Sequence, residues 1–225
     1  MAKIHGVAGE WARVKGTVLG LWPAFLGVFA VGFSSAAVVF YSLQIGSLLM
    51  ALSLVGFGFA LMKGMHHVER FYKGARGEER VSWILRGLPD RYHVFNDFLA
   101  GNTHVDHVVV GPAGVFSIET KNWRDVVTVE DGCILRNGSL PSRPPLTQAL
   151  KEAALVKTEL AKFGWAGTVT PVLTFASDTF KSHIAEVRGA VIINSCELAK
   201  SFETESMVIP PAELDRLVSL MENNG

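Results

Sequence analysis

Glu119 and Lys121 stand two residues apart in VFSIETKNW, residues 115–123. On a strand, residues two apart share a face. A carboxylate and an amine therefore sit side by side. Before them come the strand-like run HVDHVVV and the turn GPAG. A symmetric hairpin centred between Pro112 and Ala113 pairs Val110 with Val115, Val108 with Ser117 and Asp106 with Glu119. Carboxylates placed directly across a ladder have Cβ atoms about 5 Å apart and repel. A cation between them removes that penalty. Two carboxylates, a backbone carbonyl and water suit Mg²⁺, which takes few protein ligands, with Mn²⁺ as its substitute. Lys121, on the same face, reaches a metal-coordinated water or the substrate.

A third acid comes from a helix. Val81, Ile84, Leu85 and Leu88 repeat at i, i+3, i+4 and i+7, the stripe of a buried helical face. One turn back, the stripe reaches Glu78. Glu79 falls with Ser82, Trp83 and Arg86 on a more exposed face. A buried carboxylate needs a partner. Gln148 opens a later helix and points away from the Ala149–Ala153–Val156–Leu160 core stripe. Its amide can orient a phosphate or a water. His104 shares the face of Asp106 and is a minor candidate. His107 points to the other face and reads as packing. His66 and His67 have no evident third ligand. Cys133 and Cys196 match no metal spacing and read as small buried hydrophobes.

The elements that position these residues read as one α/β domain. Val68–Leu88 is helical, and Tyr92–Asn96, Val105–Val110 and Val115–Lys121 are strands. Val126–Val129 and Cys133–Leu135 form a small hairpin. A helix over Leu146–Phe163 follows a loop with three prolines. Val169–Ala176 and Gly189–Asn194 are strand-like, and Cys196–Phe202 and Ala212–Met221 are helical.

Ahead of this domain, no charged residue or histidine occurs from Thr17 to Met62. That is roughly twice the ~20 residues that span a bilayer, so Val18–Phe40 and Ile45–Met62 read as two crossings. The excess of apolar residues there explains a mean hydropathy of +0.29 in a chain with only 19% charged residues. The alternative is a helical hairpin buried in a soluble core. Trp22 and Tyr41 suit the interfaces, and basic residues flank both ends, which places both termini in the cytoplasm. Gly16 and Gly20 form a GxxxG that permits helix association and a homo-oligomer. The hairpin has no ionisable residue, which excludes a transporter reading. The expected layout is a cytoplasmic segment 1–17, a hairpin 18–62, a domain 63–176 and an extension 177–225 completing the α/β fold.

GARGEERVSWIL, FNDF, VDHVVVGPAGVFSIETKNW and LTQA together resemble the nuclease-related domain family of the PD-(D/E)xK nuclease superfamily. The resemblance covers about Gly74 to Ala176 and departs at Asp125, where the family pattern has a glycine. It implies a restriction-endonuclease-like mixed sheet flanked by helices, with a Mg²⁺ site of Glu78, Asp106, Glu119, Lys121 and Gln148. Asp106, Glu119 and the Thr120 carbonyl would bind the ion, with Glu78 as an outer or second-metal ligand. Arg124, Arg136, Arg143 and Lys151 would contact DNA phosphates. The expectation is a DNA-hydrolysing nuclease anchored in a bacterial cytoplasmic membrane. The rival is a non-catalytic module that binds nucleic acid or protein at the bilayer.

Overall fold

The computed structural model describes residues 1–40, 42–180, 182, 184–203 and 208–223. Tyr41, expected at an interface, lies outside them. The chain divides into two units, one of Met1–Glu10 with Gly74–Gly225 and one of Trp11–Lys73.

The second unit is a helical hairpin. Helix α1 spans Glu10–Phe40 and α2 spans Leu43–Leu85. Both are long and apolar enough to cross a membrane. Only 17% and 6% of their apolar windows are buried, unlike core helices. Small residues bring the two helices together. A Cβ on Gly64 would fall 2.1 Å from the Gly20 carbonyl oxygen, and one on Gly16 would fall 2.4 Å from the Phe71 Cβ. The GxxxG thus serves contact within the hairpin. Ser34 and Ser53 hydroxyls meet at 2.8 Å, and the Ser34 hydroxyl also donates to the Ala30 carbonyl, so neither polar group is stranded. The expected second span and the Val68–Leu88 helix are one continuous α2, because no proline or cap interrupts them.

The first unit is built on a seven-stranded mixed sheet. Its strands are β1 (Lys3–His5), β2 (His93–Ala100), β3 (Thr103–Gly111), β4 (Gly114–Lys121), β7 (Val169–Phe175), β8 (Ile184–Val187) and β9 (Ala190–Asn194). The order across the sheet is β1-β2-β3-β4-β7-β9-β8. β2, β3 and β4 form an antiparallel meander, β7 and β9 add in parallel to β4, and β8 closes one edge antiparallel. A separate ribbon pairs β5 (Val127–Glu130) with β6 (Cys133–Arg136). Helices α3 (Pro145–Lys162), α4 (Ser195–Glu203) and α5 (Pro211–Glu222) complete the unit.

Alternation along the strands sorts the core. Val94, Val109, Phe116 and Ile118 face Val81 and Leu85 of α2 and Leu198 and Phe202 of α4. Phe95, Val108, Val110 and Val115 face Val156 and Leu160 of α3 and Leu217 and Met221 of α5. Leu173, Phe175 and Ile192 pack with Val127 and Ile134 of the ribbon. The segment after 176 supplies β8 and β9 to the same sheet, with α4 and α5 after them.

Two local expectations are corrected and two short strands are added. Lys3–His5, within the expected segment 1–17, pairs in parallel with His93–Phe95. The Ala2 amide also donates to the Arg86 carbonyl at 3.1 Å. Ser82 is buried where exposure was expected, while its neighbour Trp83 is 73% exposed. Cys196 is exposed on α4 and so is not a buried hydrophobe. Ile184–Val187, not anticipated, forms the edge strand β8.

Deleting residues 1–6 of the full-length protein removes β1 and the Ala2 and Ile4 contacts with the core. It should cost about 2–3 kcal/mol and lower Tm by several degrees in detergent micelles, read by intrinsic fluorescence. An unchanged melt would mean that β1 adds nothing to the sheet.

Candidate active site

The hairpin register holds from Gly111↔Gly114 to His107↔Ile118. There the β3–β4 ladder stops, one pair short of Asp106 and Glu119. The β2–β3 ladder also skips this point. It pairs Asn96 with His107 and Phe98 with Val105, and Asp97 between them has a φ of 55°. A left-handed L-residue inside a strand costs roughly 1 kcal/mol. Its carboxylate accepts from His104 Nδ1 at 3.0 Å, so His104 is engaged away from Asp106. Asp106 belongs to neither ladder. Its Oδ2 accepts the Thr120 amide at 2.7 Å instead. The side chain takes the place of a strand carbonyl and is locked beside the end of β4.

Glu119 is 2% exposed on β4, the strand between β3 and β7. Its Oε1 accepts a short hydrogen bond from Lys121 Nζ. Lys121 Nζ also donates to Gln148 Oε1 at 3.0 Å, and Gln148 Nε2 donates to Glu152 Oε1 at 2.9 Å. The Glu152 carboxyl in turn lies against that of Glu119. Four side chains from β4 and α3 therefore close a ring. The Oε2 atoms of Glu119 and Glu152 are buried and have no hydrogen-bond partner among the described residues. Two acceptors can meet only through a proton or a cation.

Glu78 arrives from α2. A Cβ on Gly77 would fall 2.7 Å from the Asn122 Cβ, so the glycine lets α2 lie against the chain just after β4. The Glu78 carboxylate is near enough to raise the pKa of Asp106. The structure thus brings together Glu78, Asp106, Glu119, Lys121 and Gln148, with Thr120 between the two charged β4 residues.

Glu152 was missed. It sits at i+4 from Gln148, and at i+3 from Ala149 it lies within the buried stripe. An acid at a core position was the available signal.

The electrostatics follow from crowding. Burial, then Glu119, Glu78 and Glu152, hold the Asp106 carboxyl well above the usual carboxylate range, although the residue as a whole is partly exposed. Burial and Glu119 push Glu152 up to about 9. For Lys121, burial alone would lower the pKa. The Glu119 carboxylate and its hydrogen bond, with Asp106 and Glu152, outweigh that and raise it. Lys121 is therefore an ammonium at neutral pH. His107, fully buried with Nδ1 2.8 Å from Asn96 Oδ1, is lowered to about 3 by burial and is a neutral packing residue, as expected.

An all-oxygen donor set with orphaned carboxylate oxygens fits a hard dication such as Mg²⁺ or Mn²⁺. Asp106, Glu119 and the Thr120 carbonyl would hold it, with Glu78 and Glu152 beside them.

The expected phosphate contacts divide. Arg124, Arg143 and Lys151 are exposed. Arg136 is committed locally. It pairs with Asp125 and lies over the Trp123 ring at 5.2 Å. Asp125 also accepts from Asn137 Nδ2 at 3.0 Å. Asp125 thus ties the loop after β4 to the end of the β5–β6 ribbon.

Glu152→Gln tests the crowding. Because its folded pKa is raised, the native state keeps a proton that the unfolded chain sheds above about pH 4.5. The parent's stability should therefore fall as pH rises from about 4.5 to about 9, and the variant should show a shallower fall, with Asp106 still contributing. Near pH 7.5, without divalent metal, the variant should be more stable by on the order of 1–3 kcal/mol. Thermal melts across pH in EDTA check it. A variant less stable at every pH would show that the carboxyl is a net favourable contact.

Among known proteins, residues 73–176 match the family described as nuclease-related domain. No curated protein and no solved structure matches the chain.

Proposed function

From residues 73–176, a nuclease-related domain, we propose that the chain is a membrane-anchored, divalent-metal-dependent nuclease that hydrolyses DNA phosphodiester bonds. The observation that carries this reading is the ring of Glu119, Lys121, Gln148 and Glu152, with Asp106 and Glu78 beside it and two buried carboxylate oxygens lacking donors.

Bound Mg²⁺ supplies charge stabilisation at the phosphoryl oxygens and a more acidic water. The chain's own groups do the rest. Lys121, held as a cation, donates to a non-bridging phosphate oxygen and stabilises the charge that grows there. The raised pKa favours this role over that of general base. Gln148 is exposed and is tied to both Lys121 and Glu152. Its amide aligns the attacking water or the scissile phosphate. Water adds to phosphorus and releases a proton to solvent, the bond to the leaving oxygen breaks, and that oxygen takes a proton from solvent. Asp106, anchored to the Thr120 amide, keeps the ligand set rigid. Arg124, Arg143 and Lys151 attract the DNA backbone.

The anchor is the hairpin. Met1–Glu10 and the chain from Gly74 belong to one folded unit, so both ends of a crossing hairpin return to the same side. The basic flanks favour the cytoplasmic face.

A second reading rests on Lys121, which already satisfies Glu119 and Gln148. In a non-catalytic module this is a buried structural ion pair. Plasmid nicking by the full-length protein in detergent separates the two readings. The nuclease requires Mg²⁺, loses at least ~100-fold in rate in Lys121→Ala and keeps Mg²⁺ binding nearly intact in that variant by calorimetry. Glu119→Ala should lose both. Normal cleavage by Lys121→Ala would reduce the pair to a structural feature.

A further inference from the structure

A second cluster lies away from the acidic site, at the β1 edge of the sheet. His5 is on β1 and His93 opens β2. The parallel register pairs Lys3 with His93 and His5 with Phe95, so the two imidazoles stand diagonally on one face. His5 Nε2 and His93 Nδ1 are 3.1 Å apart. The rings are nearly parallel, at 7°, with centroids 5.4 Å apart. Phe95 stacks on the other flank of His5 at 4.4 Å and fixes its plane. Glu222, the last residue of α5, places Oε1 3.5 Å from His5 Nδ1. One donor atom from each of the three residues lies within 4.8 Å of the other two.

We infer that His5, His93 and Glu222 form a metal site for a borderline transition-metal dication such as Zn²⁺, joining β1 and β2 to the C-terminal end of α5. Two ring nitrogens that face each other need something shared between them. Zn–N bonds of about 2.0–2.1 Å in a tetrahedron set two nitrogens about 3.3 Å apart, close to the spacing present here. Two imidazoles and one carboxylate match the ligand preference of Zn²⁺, and the fourth position is left for water. Phe95 on one side and the burial of His93, 7% exposed, supply the rigidity that a preformed site needs. Lys3 opposes a cation there, and Glu222 and Asp215 offset it. The nitrogen-containing set differs in kind from the all-oxygen set at Glu119. The two sites should therefore sort metals, with Mg²⁺ at the acids and Zn²⁺ at the histidines. The role is structural, because three elements distant in sequence meet at the ion.

The test uses tag-free, metal-stripped full-length protein in detergent. Glu119→Gln serves as the background that removes the acidic site as a competitor. Calorimetry with ZnCl₂ should find one equivalent bound with micromolar or tighter affinity. Co²⁺ should give visible absorption bands of a low-coordinate nitrogen–oxygen site, and Zn²⁺ should raise Tm. His5→Ala, at a half-buried position, should weaken binding at least tenfold and abolish the bands and the Tm shift. Glu222→Gln, on the exposed helix end, should weaken binding without disturbing the fold. Failure of DNA cleavage would leave all these outcomes unchanged, so this site stands or falls apart from the nuclease reading. Equal Zn²⁺ affinity and equal Co²⁺ spectra in the background protein and in both variants would overturn the site. So would no binding by the background protein below about 100 µM. The pair would then be a hydrogen-bonded imidazole contact only.

Discussion

Burial of the Glu119 carboxylate governs the design of the domain. An ionised carboxylate away from water costs several kcal/mol unless it is paired. Everything near it answers that cost. Lys121 follows two residues later on the same strand. Gln148 and Glu152 arrive from α3, on the side of the sheet that Val108, Val110 and Val115 make apolar. Asp106 leaves both of its ladders to grip Thr120, and Asp97 adopts a left-handed conformation where the β2–β3 pairing is interrupted. Asp131, Asn137 and Arg188 are also left-handed, but they lie in turns, whereas Asp97 lies inside a strand.

Much of this was legible because strand geometry is strict. A two-residue turn fixes a register, and a register fixes which side chains meet. GPAG therefore placed Asp106 beside Glu119 from numbers alone. Helical spacing also singled out Glu78, although Glu78 and Glu79 are both half-buried. What escaped had no such periodic signal. Glu152 lies within a clean apolar stripe, and a stripe read for its hydrophobes hides the acid among them. β1 has three residues and a partner far along the chain, so neither alternation nor a turn marks it. β8 is short and polar. The unbroken α2 was hidden by composition. Its apolar half reads as a membrane span and its charged half as a soluble helix, yet the backbone hydrogen bonds run on through both. The Gly16–Gly20 pair carried a true signal of close helix approach, but a sequence cannot say whether the partner is another copy or the next helix.

The two candidate metal environments illustrate how ligand chemistry partitions within one small unit. Oxygen-only donors collect where a phosphate would be handled. Imidazoles collect at the β1 edge of the sheet, beside the end of α5. The donor types distinguish the two clusters.

The pairing of β1 with β2 also sets an order of assembly. Lys3 and its partner His93 are separated by about 90 residues of chain, and the whole apolar hairpin lies between them. At roughly 5–20 residues per second, a ribosome needs several seconds or more to cover that distance. β1 must remain unpaired while the two apolar helices between it and β2 leave the ribosome. The edge it will cover on β2 does not yet exist during that interval. Closure of the sheet thus reports that the hairpin has already turned back. A chain whose second helix failed to turn back along the first would leave β1 apart from β2. Its sheet would keep an open edge, the kind of exposed strand that quality-control proteases and aggregation both exploit.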